Sequence, residues 1–177
     1  LMIARGVSIR SFFDSLYCKD QSSSRGRQLS CMMSDPRLNL VSMVTPVGNS
    51  GLHAVGIAET VRDEPQRPIV LCAVGDGTTQ EGEFLEACAE ASRSAVPVLF
   101  LIENNHWAIS TPTAGKTFYD LRGDCPAEFH GIPIHRFDGA EIPLLVDRFG
   151  QVVEEQRRHR TPQIVVLDVE RLASHSN

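Results

Sequence analysis

The sequence predicts an α/β domain in which a parallel sheet is flanked by helices. Two continuous apolar runs, Ile69 to Val74 and Val96 to Ile102, have the length of strands and lack the alternation of a half-exposed sheet. Such runs read as parallel strands buried on both faces. Between them, Phe84, Leu85, Cys88 and Ala91 fall on one face of a helix. Two polar breaks, Gly75-Asp76-Gly77 and Glu103-Asn104-Asn105, end the runs. Together these features make a β-α-β unit of a layered domain.

The flanking segments fit the same plan. Ile3, Val7, Ile9, Phe12, Phe13 and Leu16 carry a spacing compatible with a helix. Residues 18–45 are polar, Ser-rich and without periodicity, so a long surface segment is expected there. Loops of that length are functional or mobile, and composition alone also fits a disordered linker. Thr45 to Ser50 lead into a helix, LHAVGIAETVRD, with Ser50 as its N-cap. Its apolar face uses Leu52, Val55, Ile57 and Ala58, and small Ala54, Gly56 and Ala58 predict close packing. After Thr113 comes a loop with a short helix, then a short strand from Ile132 to Phe137 and a turn at Asp138-Gly139. Ile142 to Arg158 is amphipathic, with Leu144, Leu145, Val146, Phe149, Val152 and Val153 on its apolar side. The basic RRHR at its end suits a helix C-terminus. Ile164 to Val169 reads as the last buried strand, and no internal repeat is visible.

The 177 residues suffice for one domain with a substantial core, taken as 1–177. The chain opens at LMIARG and stops at Ser-Asn, which reads as a piece of a longer protein. A net charge of −5 gives no electrostatic footprint for nucleic acid. No apolar run approaches the ~20 residues that span a bilayer, and no secretory signal is seen. Neither nucleic acid nor membrane is expected as a partner. Five cysteines are an odd number without paired zinc-ligand spacing, and the six histidines show no metal spacing either. Reduced, structural thiols and a cytoplasmic location are expected.

Function is expected where the runs end, because ligands of open parallel sheets bind beyond the carboxyl ends of the strands. Asp76 follows the first strand and Asn105 the second, and neighbouring strands would aim both side chains into one crevice. A carboxylate and a neutral amide oxygen suit Mg²⁺ holding a phosphate-bearing ligand. Gly75 and Gly77 allow a tight turn and a close approach to phosphate at the following helix N-terminus. Taken alone, Gly-Asp-Gly equally fits an ordinary strand-to-helix turn.

The combination narrows the field. Strand, GDG, helix, strand and NN at this spacing resembles the thiamine diphosphate (ThDP) and Mg²⁺ motif of ThDP-dependent enzymes. The longer stretches GDGTTQEGEFLEA and PVLFLIENNHWAISTPT are similar to the alpha subunit of the decarboxylating first component of 2-oxo acid dehydrogenase complexes. The resemblance implies a ThDP-binding fold. It also implies an oxidoreductase that decarboxylates a 2-oxo acid and transfers the acyl group to a lipoyl group of a partner acyltransferase. By the same resemblance, Asp76, Asn105 and the backbone carbonyl of Trp107 bind Mg²⁺, while Gly75, Gly77 and Thr78 line the diphosphate. Val47 meets the aminopyrimidine side of the cofactor. His175 matches the His of a Tyr-Arg…Gly-His-Ser segment and is the expected catalytic and cofactor-contacting group. Arg171 and Ser176 match as well; the Tyr and Gly do not.

Ser24 to Gln28 resembles the GRQ segment of the branched-chain type, and ISTPT leans the same way. A His usual in the family after that Arg is replaced by the neighbourhood of Cys31, Met32 and Met33, and Leu85 stands where His is frequent. The activating Glu is expected from a pyrimidine-binding domain, on a beta subunit or elsewhere in a longer chain. A further Tyr-Arg pair would precede Leu1. The isolated segment is therefore expected to be inactive and to work in an oligomer, homo- or hetero-, within a multienzyme complex. Three other readings remain compatible. One is a transketolase-like ThDP enzyme, another a non-catalytic Mg²⁺-diphosphate-binding domain, and the third a phosphate-binding α/β domain unrelated to ThDP.

Overall fold

The computed structural model describes residues 2–28 and 32–175. The chain forms two compact units, Leu1–Pro46 and Val47–Asn177. In the first, helix α1 (Ile9–Leu16) starts at Ser8, whose side chain accepts the Ser11 N–H. Downstream, the Ser22 and Ser24 hydroxyls accept the N–H groups of Gly26 and Gln28. Hydroxyls that satisfy nearby main chain compete with helix formation, which is why this Ser-rich stretch is a run of turns. A 3₁₀ turn at Pro36–Leu38 is tied back by the Arg5 guanidinium, which donates to the Leu38 carbonyl at 2.8 Å. Cys31 lies outside the described residues.

The second unit holds α2 (Asn49–Val61), β1 (Val70–Gly75), α3 (Gly82–Ser94), β2 (Val98–Asn104), a two-residue hairpin of β3 (Trp107–Ala108) and β4 (Thr111–Pro112), β5 (Glu128–Phe129), β6 (Ile132–Asp138), α4 (Ile142–His159) and β7 (Gln163–Asp168). The main sheet runs in the order β1-β2-β7-β6-β5 and is parallel except at the β5–β6 hairpin. Helices α2 and α3 cover one face. They bury Ala54, Val55, Ala58, Phe84, Ala87, Cys88 and Ala91 against Cys72, Val74, Phe100, Ile102, Ile164 and Val166. The Phe84 and Phe100 rings meet edge to face at 5.4 Å, a favoured aromatic geometry. On the other face α4 packs Val152 against Leu99 and Val165. The parallel β-α-β unit expected from the apolar runs is therefore present.

Several local expectations are corrected. β1 alternates, with Leu71 38% exposed and Cys72 and Val74 buried, because α4 packs over the centre of the sheet rather than over this edge. Helix α2 begins at Asn49 with Gly48 at its N-cap, so Ser50 lies inside the first turn and caps nothing. The close packing expected of Ala54 and Ala58 is present, but Gly56 faces open space and the close glycine is Gly51, where a Cβ would sit 3.0 Å from the Ala87 Cβ. On α3, Ala87 takes the buried place expected of Leu85. The first half of α4 leaves Leu144 and Val146 exposed at 41% and 65%, so its buried side is confined to the C-terminal half.

Burial accounts for two of the cysteines, while Cys18 and Cys125 are exposed. It pushes the Cys72 thiol up to about 11 and Cys88 to about 12, so both pack as inert small hydrophobes.

One cation organises the far end of the sheet. Arg160, left-handed at φ +59°, ends α4 and donates to the carbonyls of Val61, Arg62 and Pro68 at 2.7–3.2 Å. It thereby serves carbonyls that the end of α2 leaves without helical partners. Arg160→Met is expected to leave these acceptors unpaired and to cost ~2 kcal/mol, read as a lowered urea midpoint. An unchanged midpoint would show that water replaces the guanidinium.

Candidate functional site

The site grows from two strand ends at one level. Gly75, the last residue of β1, pairs in register with Glu103, so both chains leave the sheet side by side. After β1 a 3₁₀ turn, Asp76–Gln80, runs into α3. Asp76 is only 2% exposed. Its carboxylate accepts a hydrogen bond from the Thr113 hydroxyl, and its carbonyl accepts one from Thr79 Oγ1 at 2.7 Å. Among the described residues no cationic side chain pairs with it. A buried carboxylate without a cation is costly.

Gly77 is required by contact. A Cβ there would lie 2.7 Å from the Ala108 Cβ, so the hairpin can rest on the turn only at a glycine. Gly75 faces open space on its Cβ side, and Thr78 is half-buried beside it. The Asp-Gly turn and the Asn-Asn turn are thus locked together through Gly77–Ala108 and Asp76–Thr113.

Beyond β2, Asn105 Oδ1 accepts the Trp107 N–H at 2.9 Å. An amide oxygen has two lone pairs, so one remains for a further partner. The turn is strained, with His106 at φ +64° and β-branched Ile109 at φ +57°. Left-handed non-glycine residues cost about 1–3 kcal/mol each and persist where the surroundings fix them. Here the His106 carbonyl accepts the Thr113 N–H at 3.0 Å, and the Ile109 carbonyl accepts from the Arg171 guanidinium. That guanidinium also sits 5.9 Å from the centre of the half-exposed Trp107 ring.

Arg171 therefore draws the segment after β7 over the hairpin. An open groove of about 430 Å³ results, lined by Trp107, Ile109, Ser110, Arg171 and His175 among others. Of the residues singled out from sequence, His175 is brought to Trp107, and Gly77 to the strand that carries Trp107. Asp76 and Asn105 sit on adjacent strand ends without touching, and the Asp76 side chain is buried under Thr113 rather than projecting into an open crevice. Val47 is exposed one residue before Gly48 (φ +95°), where a Cβ would be 2.9 Å from the Glu81 Cβ. It stands beside the segment that joins the 3₁₀ turn to α3. Ser176 lies outside the described residues.

A second polar group at the same edge escaped the sequence reading. Asn104, 1% exposed, donates from Nδ2 to Asp168 Oδ1 at 2.7 Å and accepts from the Tyr119 hydroxyl at 3.2 Å. Arg136 grips Asp168 with Nε at 2.7 Å and Nη2 at 3.0 Å. Burial works against the Asp168 charge, but the hydrogen bonds from Arg136 and Asn104 outweigh it and hold the carboxyl below its ordinary range. Burial pushes the Tyr119 hydroxyl up, so it stays protonated and donates. The available signal was that polar Asn104 and Asp168 both occupy the last position of a strand with an apolar centre.

Fold and site define an α/β protein that gathers hard oxygen donors and a glycine turn at the carboxyl edge of a parallel sheet. Comparison with known proteins gives this class its family. The family model described as "Dehydrogenase E1 component" matches residues 1–177, and the chain belongs to that family. Its sheet and flanking helices form the ThDP-binding α/β fold. The chain is 26% identical over 179 residues to 2-oxoisovalerate dehydrogenase subunit alpha 2, mitochondrial, of Arabidopsis thaliana, covering 99% of this chain and 37% of that protein. With 3-methyl-2-oxobutanoate dehydrogenase subunit alpha of Mycobacterium tuberculosis (strain CDC 1551 / Oshkosh) the identity is 29% over 134 residues, 76% of this chain and 36% of the relative. With 2-oxoisovalerate dehydrogenase subunit alpha of Bacillus subtilis (strain 168) it is 27% over 183 residues, 100% and 54%. The chain thus spans between about a third and about half the length of these relatives.

Proposed function

We propose that this chain is the diphosphate- and Mg²⁺-binding part of the alpha subunit of a ThDP-dependent 2-oxo acid dehydrogenase acting on branched-chain substrates. Family membership and relatives named for 2-oxoisovalerate and 3-methyl-2-oxobutanoate support the activity and the substrate class. The observation that carries the site is Asp76, a buried carboxylate with no cationic partner among the described residues, set between two glycines at a strand end.

The donor set fits a hard divalent cation. Asp76 supplies the negative oxygen, while Asn105 Oδ1 and the Trp107 carbonyl supply neutral ones; Mg²⁺ is held this way when phosphate oxygens complete its shell. Among the described residues no three His, Cys, Asp or Glu gather that could hold a metal by themselves. The cation therefore relies on its ligand. Gly75, Gly77 and Thr78 would take the diphosphate on the open side of the turn, and Val47 the aminopyrimidine side. When bound, ThDP supplies the electron sink for breaking the bond between the carboxyl and carbonyl carbons of a 2-oxo acid. This chain's part is to hold that cofactor, and to offer His175 from the Trp107 groove for proton transfer.

The remaining half of the site is assigned to a pyrimidine-binding beta subunit or domain, and the acyl acceptor to the lipoyl group of an acyltransferase core. Among the described residues no helix is long and apolar enough to cross a membrane. The free thiols Cys18, Cys72, Cys88 and Cys125 support a reducing compartment such as the cytoplasm.

Calorimetric titration with ThDP, with and without Mg²⁺, tests the reading in the full-length protein joined to its partner subunit. Binding that requires Mg²⁺, followed by turnover of a branched-chain 2-oxo acid, is expected. The 177-residue chain alone should show no turnover and weaker binding, because a half-site loses contacts and preorganisation together. Turnover by the isolated chain would show that the activating base lies here after all.

A further inference from the structure

We propose that Asp168 is a positioning residue for the cofactor loop: oriented by Arg136, it fixes the side-chain amide of Asn104 and so presets Asn105 and the main chain of Trp107. The proposal rests on the assignment of Asn105 and Trp107 as cation ligands.

Asn104 is the last residue of β2, and its polar groups are all committed. Nδ2 donates to Asp168 at 2.7 Å, Oδ1 accepts from Tyr119 at 3.2 Å, and the main-chain carbonyl accepts the Val169 N–H at 3.0 Å. Asp168 faces it in register as the last residue of β7. The Asp168 carboxylate has no freedom to turn, since Arg136, two residues before its register partner Asp138 in β6, takes Oδ2 through Nε and Oδ1 through Nη2. Three neighbouring strand ends are thereby joined through side chains, just before the chain leaves β2.

The loop that begins at Asn105 needs such an anchor. Within five residues come the Asn105–Trp107 hydrogen bond and two left-handed residues, His106 and Ile109. Thr113 fixes the far side of this loop, through the His106 carbonyl and the Asp76 carboxylate. Asn104 fixes the near side. An apolar trio could close the sheet equally well, and often with no loss of stability. It could not set the direction of an amide. A bidentate guanidinium–carboxylate pair has that directional property.

The test separates direction from stability. ThDP affinity at saturating Mg²⁺ and the melting temperature of the cofactor-free protein are measured for the full-length protein with its partner subunit. The variants are Asp168→Ala, the apolar pair Arg136→Met with Asp168→Leu, and Asp76→Ala. Asp168→Ala should lower both stability and affinity, because it strands a guanidinium and an amide. The apolar pair should recover the melting temperature yet bind ThDP at least ~10-fold more weakly than the native protein, the loss typical when a group that orients a metal ligand is removed. If affinity recovers along with the melting temperature, Asp168 is only a sheet-end staple and the proposal is overturned. If Asp168→Ala does not fold, the apolar pair decides alone. Loss of binding in Asp76→Ala with native affinity in the apolar pair sinks this proposal only. Native affinity in Asp76→Ala sinks the cofactor reading, and the proposal with it.

Discussion

Asp76→Ala is expected to abolish the Mg²⁺ dependence of ThDP binding and to weaken affinity by more than ~100-fold, beyond the loss expected of a residue that merely orients a ligand. The expectation comes from charge. Asp76 is the one carboxylate in the proposed donor set; Asn105 and Trp107 contribute neutral oxygens, and the diphosphate is itself anionic. Without Asp76 none of the proposed donors would offset the charge of a cation where the two strand ends meet. The fold should survive, because in the cofactor-free protein the carboxylate makes one hydrogen bond, from Thr113, and no ion pair among the described residues. Removing an unpaired buried charge relieves a desolvation cost that offsets the hydroxyl left behind. Asp76→Asn is the sharper control, since it keeps the volume and the Thr113 contact while removing the charge. Titration calorimetry with and without Mg²⁺ reads both variants. Native affinity in Asp76→Asn would mean that the charge plays no part and that the cation lies elsewhere.

Why the sequence drew attention to Asp76, and not to Asp168, is a matter of locality. Asp76 stands between glycines directly after an apolar run, so turn, strand end and anion are visible together. Asp168 gains its meaning from Arg136 and Asn104, on strands that become neighbours only through the order β2-β7-β6. Apolar runs revealed β2 and β7 because burial there is nearly continuous, and α3 showed through its one-sided spacing. They misjudged β1, since Leu71 is apolar whether or not a layer covers it, and composition does not say where α4 will lie. The β3–β4 hairpin carries no turn-forming pair; Ile109 turns left-handed because a guanidinium 62 residues away holds its carbonyl. On α2 the expected face through Leu52, Val55 and Ala58 does pack on the core, but placing the cap at Ser50 left Gly51 outside the helix and its contact with Ala87 unforeseen. The resemblance, in contrast, named Trp107 and His175, which no local pattern would have joined.

His175→Ala should lower kcat for acyl transfer to the lipoyl acceptor by ~10²–10⁴-fold while ThDP still binds. Seven residues beyond the end of β7, His175 is exposed, and exposure alone would describe a solvated tail. Its placement is more specific. Arg171 ties the segment to the Ile109 carbonyl and the Trp107 ring, so that His175 lines one groove with Trp107. The proposed cation ligand is the main-chain carbonyl of that same Trp107. An imidazole there stands at the carboxyl edge where Asp76 and Asn105 lie, and imidazole is the side chain best suited to carry a proton near neutral pH. Decarboxylation and acyl transfer both move protons at the reacting centre, so a misplaced or missing group slows chemistry rather than binding. His175→Gln separates the two roles an imidazole can play. It keeps hydrogen-bonding capacity but cannot shuttle a proton, so it should fall as far as His175→Ala. The measurement is steady-state turnover of the full-length protein with its partner subunit and a lipoyl acceptor, with ThDP affinity read in parallel. Recovery in His175→Gln would make the residue a hydrogen-bonding contact. Near-native turnover in both variants would make it a surface residue of the groove, with the proton carried by the partner subunit.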